Sequence, residues 1–249
     1  MIDPATRARL YQAQYQGFNL DLPFWTTLAA EVGDPILEMG CGTGRLVAAL
    51  ARNGYRVIGL DHDAAMLDRA VTALDPDLRG QVTWIMSKLT AYQLSEPVRF
   101  AIGALNTFAY LDETDFCAAL RSASSNLTAA GLIALDLPPF DPDAAATNGD
   151  DDPLDVFMEP ERGTSIELRA VVDDQIPGQL SVTWHYDELL PDGQVIRHPL
   201  EEIYFLRKED HLRRLVRQCG LSVRAIYGDY DFSPYLPGSE QLLMVLEQS

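Results

Sequence analysis

The sequence has few cysteines, few basic residues and no long apolar run. Its three cysteines, Cys41, Cys117 and Cys219, are odd in number and widely spaced. They indicate neither a disulfide framework nor a metal cluster, so no metal site is predicted and a reducing cytoplasm is expected. No run of about 18 or more apolar residues occurs, which leaves no candidate transmembrane helix. The first residues also lack the basic start, apolar centre and cleavage site of a signal peptide.

Positive charge is also scarce, because 19 Lys and Arg residues stand against 37 Asp and Glu residues, for a formal net charge of −18. A nucleic-acid backbone or an anionic membrane would be repelled, so neither is expected as a partner. The same charge is typical of a protein that simply stays in solution. At 249 residues and 47% hydrophobic content, the chain has room for one large α/β domain or a core domain with an inserted subdomain.

A glycine-rich segment, Glu-Met-Gly-Cys-Gly-Thr-Gly at 38–44, is the most informative feature of the chain. A short apolar run precedes it, a helix-like run at 46–52 follows it, and a second apolar run then ends on Asp61. This order predicts strand, glycine turn, helix, strand and acid. Such glycines let the backbone pass close to a ligand, and the acid can accept hydrogen bonds from ribose hydroxyls. The segment therefore predicts a site for a ligand that contains adenosine.

Other interpretations of these glycines fit the pattern less well. A phosphate-binding loop would need a Gly-Lys-Ser/Thr sequence, which does not follow. A dinucleotide fold would space its glycines as GxGxxG, whereas this chain has GxGxG followed by Arg45, so a nicotinamide oxidoreductase is disfavoured but stays open. A glycine turn without a ligand is disfavoured by the flanking strand and helix and by the acid about twenty residues further on.

The rest of the chain predicts an α/β fold with an inserted β segment. Helical and apolar runs alternate over 34–140, the predicted cofactor-binding core, as is typical of a parallel sheet whose ligand lies beyond the carboxyl ends of the strands. Residues 160–206 change to the pattern of antiparallel strands, and 207–249 return to the core sheet, so that 1–249 form a single domain. The predicted core strands are 36–38, 57–60, 82–86, 98–105, 132–137, 221–227 and 241–247. The predicted helices are 6–32 with a break near 17–22, 46–52, 64–74 capped by Asp63, 114–127 capped by Asp112 and ended by Gly131, and 208–218.

Two segments carry a family resemblance. Residues 38–45 together with Val-Ile-Gly-Leu-Asp-His-Asp-Ala-Ala-Met-Leu at 57–67 resemble the class I S-adenosylmethionine-dependent methyltransferases. The closing segment at 227–243, which begins Tyr-Gly-Asp-Tyr-Asp-Phe-Ser-Pro, resembles the branch that modifies small molecules. The resemblance covers nearly the whole chain. It implies a Rossmann-like, seven-stranded, mainly parallel sheet with helices on both faces and a last strand that runs antiparallel beside the fifth. It also implies that the β insertion forms part of the substrate site or a homodimer interface.

The resemblance implies S-adenosylmethionine as the cofactor, S-adenosylhomocysteine as the product and a small molecule as the methyl acceptor. Carried over by position, Glu38 orients the glycine loop and Asp61 holds the ribose hydroxyls. The other implied cofactor contacts are Gly40, Gly42 and Gly44 beneath the methionine and ribose, His62 and Met66 beside the adenine, Leu105 and Asn106 near the methionine, and Tyr11 and Tyr15 as loosely matched lid residues. Two positions depart from the family pattern. Lys88 stands where an Asp often binds the adenine amino group, with Ser87 beside it as a substitute acceptor, and Ala101 stands where the fourth strand often begins with Asp.

Methyl transfer to nitrogen or oxygen is an in-line displacement that requires alignment, a dry pocket and a deprotonated nucleophile. His185 and Tyr204 are the catalytic candidates, and an ordinary place in a β-strand is the alternative for each. Further candidates for contact with the acceptor are Tyr110, Asp136, Arg169, Tyr186, Glu202 and Tyr230. The alternative function is a regulatory or dimerising module that binds S-adenosylmethionine or S-adenosylhomocysteine without transferring a methyl group.

Overall fold

The computed structural model describes residues 2–140, 153–173, 176 and 178–249. The chain divides into two compact units, a larger one of Asn19–Phe140 with Arg207–Ser249 and a smaller one of Met1–Phe18 with Asp141–Leu206. The helices are α1 (Pro4–Tyr15), α2 (Leu22–Val32), α3 (Arg45–Arg52), α4 (Ala64–Ala73), α5 (Glu113–Ser125) and α6 (Glu209–Gln218), with short 3-10 helices at Pro76–Gln81 and Thr107–Tyr110. The strands are β1 (Ile36–Met39), β2 (Val57–Asp61), β3 (Val82–Met86), β4 (Val98–Gly103), β5 (Leu127–Leu137), β6 (Asp155–Glu159), β7 (Thr164–Asp173), β8 (Gln179–Leu189), β9 (Val195–Phe205), β10 (Leu221–Tyr227) and β11 (Leu242–Gln248).

The larger unit contains a seven-stranded sheet in the order β10-β11-β5-β4-β1-β2-β3. Strands β1 to β5 pair in parallel with their neighbours, whereas β11 is antiparallel to both β5 and β10. The order reverses between β1 and β4, which puts the carboxyl ends of these two strands at the switch point of the sheet. This topology confirms the predicted fold, including the antiparallel last strand beside the fifth.

Helices cover both faces of this sheet. Along β1, Leu37 and Met39 join a core with apolar residues of α5 and α6, while Ile36 joins a second core with residues of α2 and α3. Successive side chains of a strand point to opposite faces, so a strand buried on both sides needs continuous apolar character. Burial of each such large side chain contributes about 1.5–3 kcal/mol.

Two predicted helix caps are confirmed. The Asp63 carboxylate accepts a hydrogen bond from the Ala65 amide at 2.8 Å, and Asp112 accepts one from the Asp115 amide at 2.8 Å. Each cap satisfies an amide that would otherwise lack a partner within its helix. Asp63 lies in the connection from β2 to α4, and Asp112 lies directly before α5, so each cap determines where a helix of the larger unit begins.

The predicted end of α5 at Gly131 is wrong. The helix ends at Ser125, and β5 already begins at Leu127, so Gly131 lies inside a strand. A side chain added at Gly131 would have its Cβ 3.1 Å from the backbone oxygen of Arg99. The glycine here permits a close approach of two strands and does not stop a helix.

The smaller unit contains an antiparallel sheet in the order β6-β7-β8-β9, with α1 packed on one face. Leu10 of α1 contacts the buried side chains of Ile166, Leu168 and Tyr186. Strand β6, at Asp155–Glu159, precedes the predicted start of the insertion at residue 160 and was not expected from the sequence. The composition of the sequence also predicts a surface connection at 141–155 and a turn at 177–178. Most of the connection and part of the turn lie outside the described residues.

Buried charges also hold α1 to this sheet. Arg9 donates hydrogen bonds to Glu159 and, through both terminal nitrogens, to Glu188 at 2.9 and 3.0 Å. Glu188 also accepts from the Thr164 hydroxyl at 2.8 Å and lies 3.1 Å from Nε2 of His198. Burial acts to raise the pKa of Glu188, but these hydrogen bonds prevail and lower it to about 2. This ion-pair network therefore acts as a polar core within the smaller unit.

The sequence-based boundaries, a core at 34–140, an insertion at 160–206 and a single domain over 1–249, stay predictions. Within the described residues, no helix is both long and apolar enough to cross a membrane.

Candidate active site

The glycine loop connects β1 to α3 in a conformation that requires glycine. Gly40, Gly42 and Gly44 have φ values of +73°, +53° and +80°, in the left-handed region that disfavours other residues. At Gly40 space is limiting as well, because an added Cβ would lie 2.4 Å from Cγ2 of Thr107. Glycine therefore lets the loop adopt this backbone conformation and pack closely against Thr107.

Asp61 fixes this loop from the end of β2. One carboxylate oxygen accepts a hydrogen bond from the Gly42 amide at 2.8 Å, and the other accepts from the Asp63 amide at 2.9 Å. Burial acts to raise the pKa of Asp61, but hydrogen bonds from His62 and the two amides prevail and lower it. Asp61 is therefore an ionised, oriented carboxylate with acceptor capacity left for a ligand.

Glu38 lies beneath the loop in a buried cluster of charges. Its Oε2 atom is buried and has no hydrogen-bond partner among the described residues. Burial raises the pKa of Glu38 to about 8, and the positive charge of Arg45 opposes that rise. Arg45 itself donates two hydrogen bonds to the fully buried Asp21, at 2.6 and 2.7 Å, and Trp25 donates a third at 3.0 Å.

This Asp21–Arg45 pair was not predicted from the sequence. The sequence predicts only a break in the helical pattern near 17–22, whereas Asp21, directly before α2, binds the first residue of α3 through its carboxylate. The one available signal was a charged residue, Arg45, directly after the third glycine of the motif. A bidentate carboxylate–guanidinium pair fixes both partners in orientation, so it sets the direction in which α3 leaves the loop.

The residues expected beside the adenine follow β2 and β3 or lie on α4. His62 is 74% exposed, and its Nδ1 lies 3.4 Å from the Asp61 carboxylate, while Met66 on α4 is nearly buried. The Ser87 hydroxyl donates to the backbone oxygen of Ala91 at 3.1 Å, which leaves its oxygen able to accept a hydrogen bond. Lys88 is exposed.

Two strained residues follow the end of β4. Leu105 and Asn106 have φ values of +47° and +61°, which non-glycine residues seldom adopt and which cluster at functional sites. Oδ1 of Asn106 is buried and has no partner among the described residues. Ala101, expected at the start of this strand, instead lies in its interior and is fully buried, where an ionised Asp would be costly.

Asp136, one of the candidates for acceptor contact, lies at the end of β5 beside the strained turn. One carboxylate oxygen accepts hydrogen bonds from the Leu105 amide at 3.1 Å and from the Tyr230 hydroxyl at 2.8 Å. The structure therefore brings Asp136 and Tyr230 together, although they are 94 residues apart. Tyr110, another candidate, is 42% exposed.

The remaining predicted site residues lie in the smaller unit. Tyr15 ends α1 and contacts the rings of Tyr11 and Phe18. His185 on β8 lies opposite Arg169 on β7 and Pro199 on β9. Tyr204 on β9 lies opposite Leu180 on β8. Because side chains alternate along a strand, this register puts His185 and Tyr204 on opposite faces of the sheet.

These placements do not assemble His185 and Tyr204 into one catalytic pair. The Tyr204 hydroxyl donates to Glu202 at 2.6 Å, and the same carboxylate oxygen accepts from the Trp184 indole at 3.0 Å. His185 has a buried Nδ1 without a partner among the described residues. Tyr204 is therefore part of a polar group on its own face of the sheet, apart from His185.

The glycine loop and the acid after β2 lie in a segment that is similar to a known protein family. Residues 36–131 match the family model described as "Methyltransferase domain". The matched segment runs from β1 into β5 and contains the glycine loop, Asp61 and the strained turn after β4. It confirms the resemblance predicted from the sequence.

Two proteins of known activity are similar in sequence. A cypemycin N-terminal methyltransferase from a Streptomyces species is 27% identical over 225 residues, which cover 87% of this chain and 84% of that protein. A magnesium-protoporphyrin O-methyltransferase from Rhodobacter capsulatus is 38% identical over 52 residues, 21% of this chain and 23% of that protein. The second alignment thus spans less than a quarter of that enzyme.

Solved structures share the fold over the full length of the chain. DesVI from Streptomyces venezuelae superposes with a TM-score of 0.75 and 18% identity, covering 100% of both chains. CalS10 from Micromonospora echinaspora, an amino pentose methyltransferase solved with S-adenosylmethionine bound, has a TM-score of 0.70 and 16% identity, covering 96% of this chain and 97% of its own. The predicted cofactor is thus the ligand of a protein that has this fold.

Proposed function

We propose that the protein transfers a methyl group from S-adenosylmethionine to a nitrogen or oxygen atom of a small molecule by in-line displacement. The observation that carries this proposal is the left-handed glycine loop after β1, whose Gly42 amide donates to the oriented carboxylate of Asp61. The similar proteins include an N-terminal methyltransferase, an O-methyltransferase and an amino pentose methyltransferase, so both kinds of acceptor atom have precedent.

The residues of the loop region fit the proposed cofactor. Asp61 accepts a backbone amide on each oxygen and a hydrogen bond from His62 on Oδ1, and the remaining acceptor capacity of Oδ2 suits a ribose hydroxyl. Glu38 and Asn106 each carry a buried acceptor oxygen without a partner among the described residues, and an ammonium group has three donors to offer. His62, Met66 and Ser87 would flank the adenine, and Leu105 would lie by the methionine portion.

When bound, the cofactor supplies a methyl group on a positively charged sulfur. The chain's own contribution is to align the acceptor with that methyl group and to exclude water. Alignment in well-oriented systems supplies roughly 7–11 kcal/mol of barrier lowering, so a small set of positioning contacts suffices. A hydroxyl acceptor additionally needs a base within hydrogen-bond reach, which an amine that has already lost its proton does not.

His185 and Tyr204 remain proposals for contact with the acceptor, as Tyr15 remains one for contact with the cofactor. Since His185 and Tyr204 lie on opposite faces of their sheet, we expect only one of them to contact a single acceptor molecule. Separate His185→Gln and Tyr204→Phe variants distinguish the two, because only the contacting residue changes the KM for the acceptor.

Calorimetry with S-adenosylmethionine, S-adenosylhomocysteine and NAD tests the proposal. We expect the two sulfur ligands to bind and NAD to bind at least about tenfold more weakly. Absence of S-adenosylhomocysteine binding refutes the proposal, and tight NAD binding favours an oxidoreductase. A panel of amines, sugars and phenols is then screened for S-adenosylhomocysteine release. Binding without release for every compound would favour the module without transfer activity.

A homodimer through the β insertion and a cytoplasmic location also remain proposals. Light scattering coupled to size-exclusion chromatography tests the first. For the second, the three cysteines are all buried and free, as expected for a reducing compartment.

A further inference from the structure

Only one of the two carboxylate oxygens of Asp136 has hydrogen-bond donors among the described residues. It is 1% exposed, and Oδ2 accepts hydrogen bonds from the Leu105 amide and the Tyr230 hydroxyl. Its Oδ1 is buried and has no partner among the described residues. A buried carboxylate oxygen without a donor is costly, so a donor from a ligand or a water molecule is expected to reach it.

The backbone beside Asp136 is strained in a way that supports a binding role. Leu105 and Asn106 occupy the left-handed region in succession, and this turn directs the Leu105 amide at Oδ2. Such residues are strained and persist only where the surrounding structure holds them. The turn thus satisfies one carboxylate oxygen and leaves the other for a donor from elsewhere.

The position of Asp136 along the sheet separates it from the adenosine side of the site. The sheet order is β5-β4-β1-β2, so Asp136, near the end of β5, lies two strands away from the glycine loop after β1 and three strands away from Asp61 on β2. With about 4.8 Å between strands, these offsets are roughly 10 and 14 Å. A ligand that is anchored by its ribose at Asp61 would therefore reach toward Asp136 with the end that reacts.

We propose that Oδ1 of Asp136 accepts a hydrogen bond from the amino group of the methyl acceptor, so that the acceptor is an amine and the product an N-methylated small molecule. This inference rests on the proposed methyl transfer from S-adenosylmethionine. An acceptor-only oxygen selects an N–H donor, and a carboxylate favours a basic amine over a neutral alcohol. Asp136 thus makes the protein methylate nitrogen in preference to oxygen.

The charges that face Asp136 are consistent with this role. Burial raises the pKa of Asp136 to about 6, while hydrogen bonds from Tyr230 and Leu105 oppose the rise. The negative charge of Asp21 also raises the pKa of Asp136, whereas the positive charge of Arg45 lowers it. Above about pH 6 the group is therefore an anion, able to bind the acceptor's ammonium group. That group must lose a proton to water before its nitrogen lone pair can form the new bond to the methyl carbon, and the electrons of the broken carbon–sulfur bond stay on sulfur. Below that pH Asp136 loses its charge and with it this preference.

Sinefungin provides a probe that needs no knowledge of the acceptor. It is an analogue of S-adenosylmethionine in which an amine-bearing carbon replaces the sulfonium and its methyl, so that it holds an ammonium group where methyl transfer would occur. The test compares the dissociation constants of sinefungin and S-adenosylhomocysteine for the full chain at pH 7.5. It is repeated for Asp136→Asn and for Asp68→Asn, a matched control at an exposed position on α4.

We expect Asp136→Asn to weaken sinefungin binding by about 10- to 100-fold, as for a lost hydrogen bond between charged groups, and to leave S-adenosylhomocysteine binding within about twofold. The Asp68→Asn control should change neither. If both ligands weaken equally, Asp136 holds the cofactor's own amino-acid end, and the inference is wrong. If neither weakens, the free oxygen binds only water, and the inference is again wrong. If the wild type binds no S-adenosylhomocysteine, the proposed function itself fails.

Tyr230→Phe gives a second test in case Asp136→Asn does not fold. Removing the phenol hydroxyl deprives Oδ2 of a donor that lowers the pKa of Asp136, so that pKa should rise. The pH above which the protein prefers sinefungin to S-adenosylhomocysteine should then move upward relative to the wild type. If the preference for sinefungin over S-adenosylhomocysteine depends on pH in the same way in Tyr230→Phe and in the wild type, the role of Asp136 is contradicted.

Discussion

Replacing Gly40 with alanine tests how closely the glycine loop packs against the turn after β4. The added Cβ would meet Cγ2 of Thr107 at 2.4 Å, closer than real Cβ atoms approach. The change also forces a residue with φ of +73° into the left-handed region, at a cost of about 1–2 kcal/mol. Overpacking adds about 1–3 kcal/mol, so the total expected loss in the free energy of unfolding is about 2–5 kcal/mol.

Gly54 separates the two contributions, because it has φ of +90° and no atom within 4 Å of an added Cβ. Gly54→Ala should therefore cost only the backbone strain of about 1–2 kcal/mol. Thr107→Ser removes the clashing methyl group and keeps the hydroxyl that donates to the Ala104 oxygen at 2.8 Å. In that background, Gly40→Ala should recover about 1–2 kcal/mol of its loss.

Urea unfolding of the three single variants and the double mutant measures these differences in stability, and calorimetry measures their effect on S-adenosylhomocysteine binding. We expect Gly40→Ala to weaken ligand binding and Gly54→Ala to leave it unchanged. If Gly40→Ala costs no more stability than Gly54→Ala, or if Thr107→Ser gives no relief, the loop does not pack as described.

Three further predictions concern the buried carboxylates. Asp61→Ala should weaken S-adenosylhomocysteine binding by about 1–3 kcal/mol in calorimetry, since hydrogen bonds to a charged acceptor are lost; an unchanged dissociation constant would refute its role. Arg9→Ala should destabilise the protein by about 3–5 kcal/mol in urea unfolding, because Glu188 and Glu159 would stay buried without their cation, and a loss below 1 kcal/mol would contradict that. Glu188 has its pKa lowered from 4.5 to about 2, so its contribution is complete above pH 4.5 and is lost as the pH falls toward 2. Thermal unfolding between pH 2 and 6 should show this loss in the wild type and a smaller one in Glu188→Gln.

The larger sheet was predictable from the sequence because its signals are local. The apolar runs of β1, β2 and β3 are bounded by glycines or acids within a few residues, and Asp63 and Asp112 stand directly before their helices. Gly131 misled the prediction of α5 because a glycine needed for close strand approach has the same identity as one that ends a helix. Local pattern therefore decides element type more reliably than it decides where an element ends.

The candidate site was predictable only in part. The glycine loop and Asp61 are separated by about twenty residues of regular pattern, so their meeting follows from the strand–helix–strand order. The pairs Asp136–Tyr230 and Arg9–Glu188 are 94 and 179 residues apart, and no local signal joins them. The opposite orientation of His185 and Tyr204 depends on the register of β8 with β9, which strand propensity does not determine.

The position of β11 has a consequence for biosynthesis. This strand is the eleventh along the chain, yet it lies between β5 and β10, and five of its residues are buried. During translation, the edges of β5 and β10 carry unpaired backbone groups until residues 242–248 have left the ribosome. The larger unit can therefore complete its sheet only after synthesis has passed residue 248, and a nascent chain that stalls earlier presents two open edges to chaperones or to aggregation.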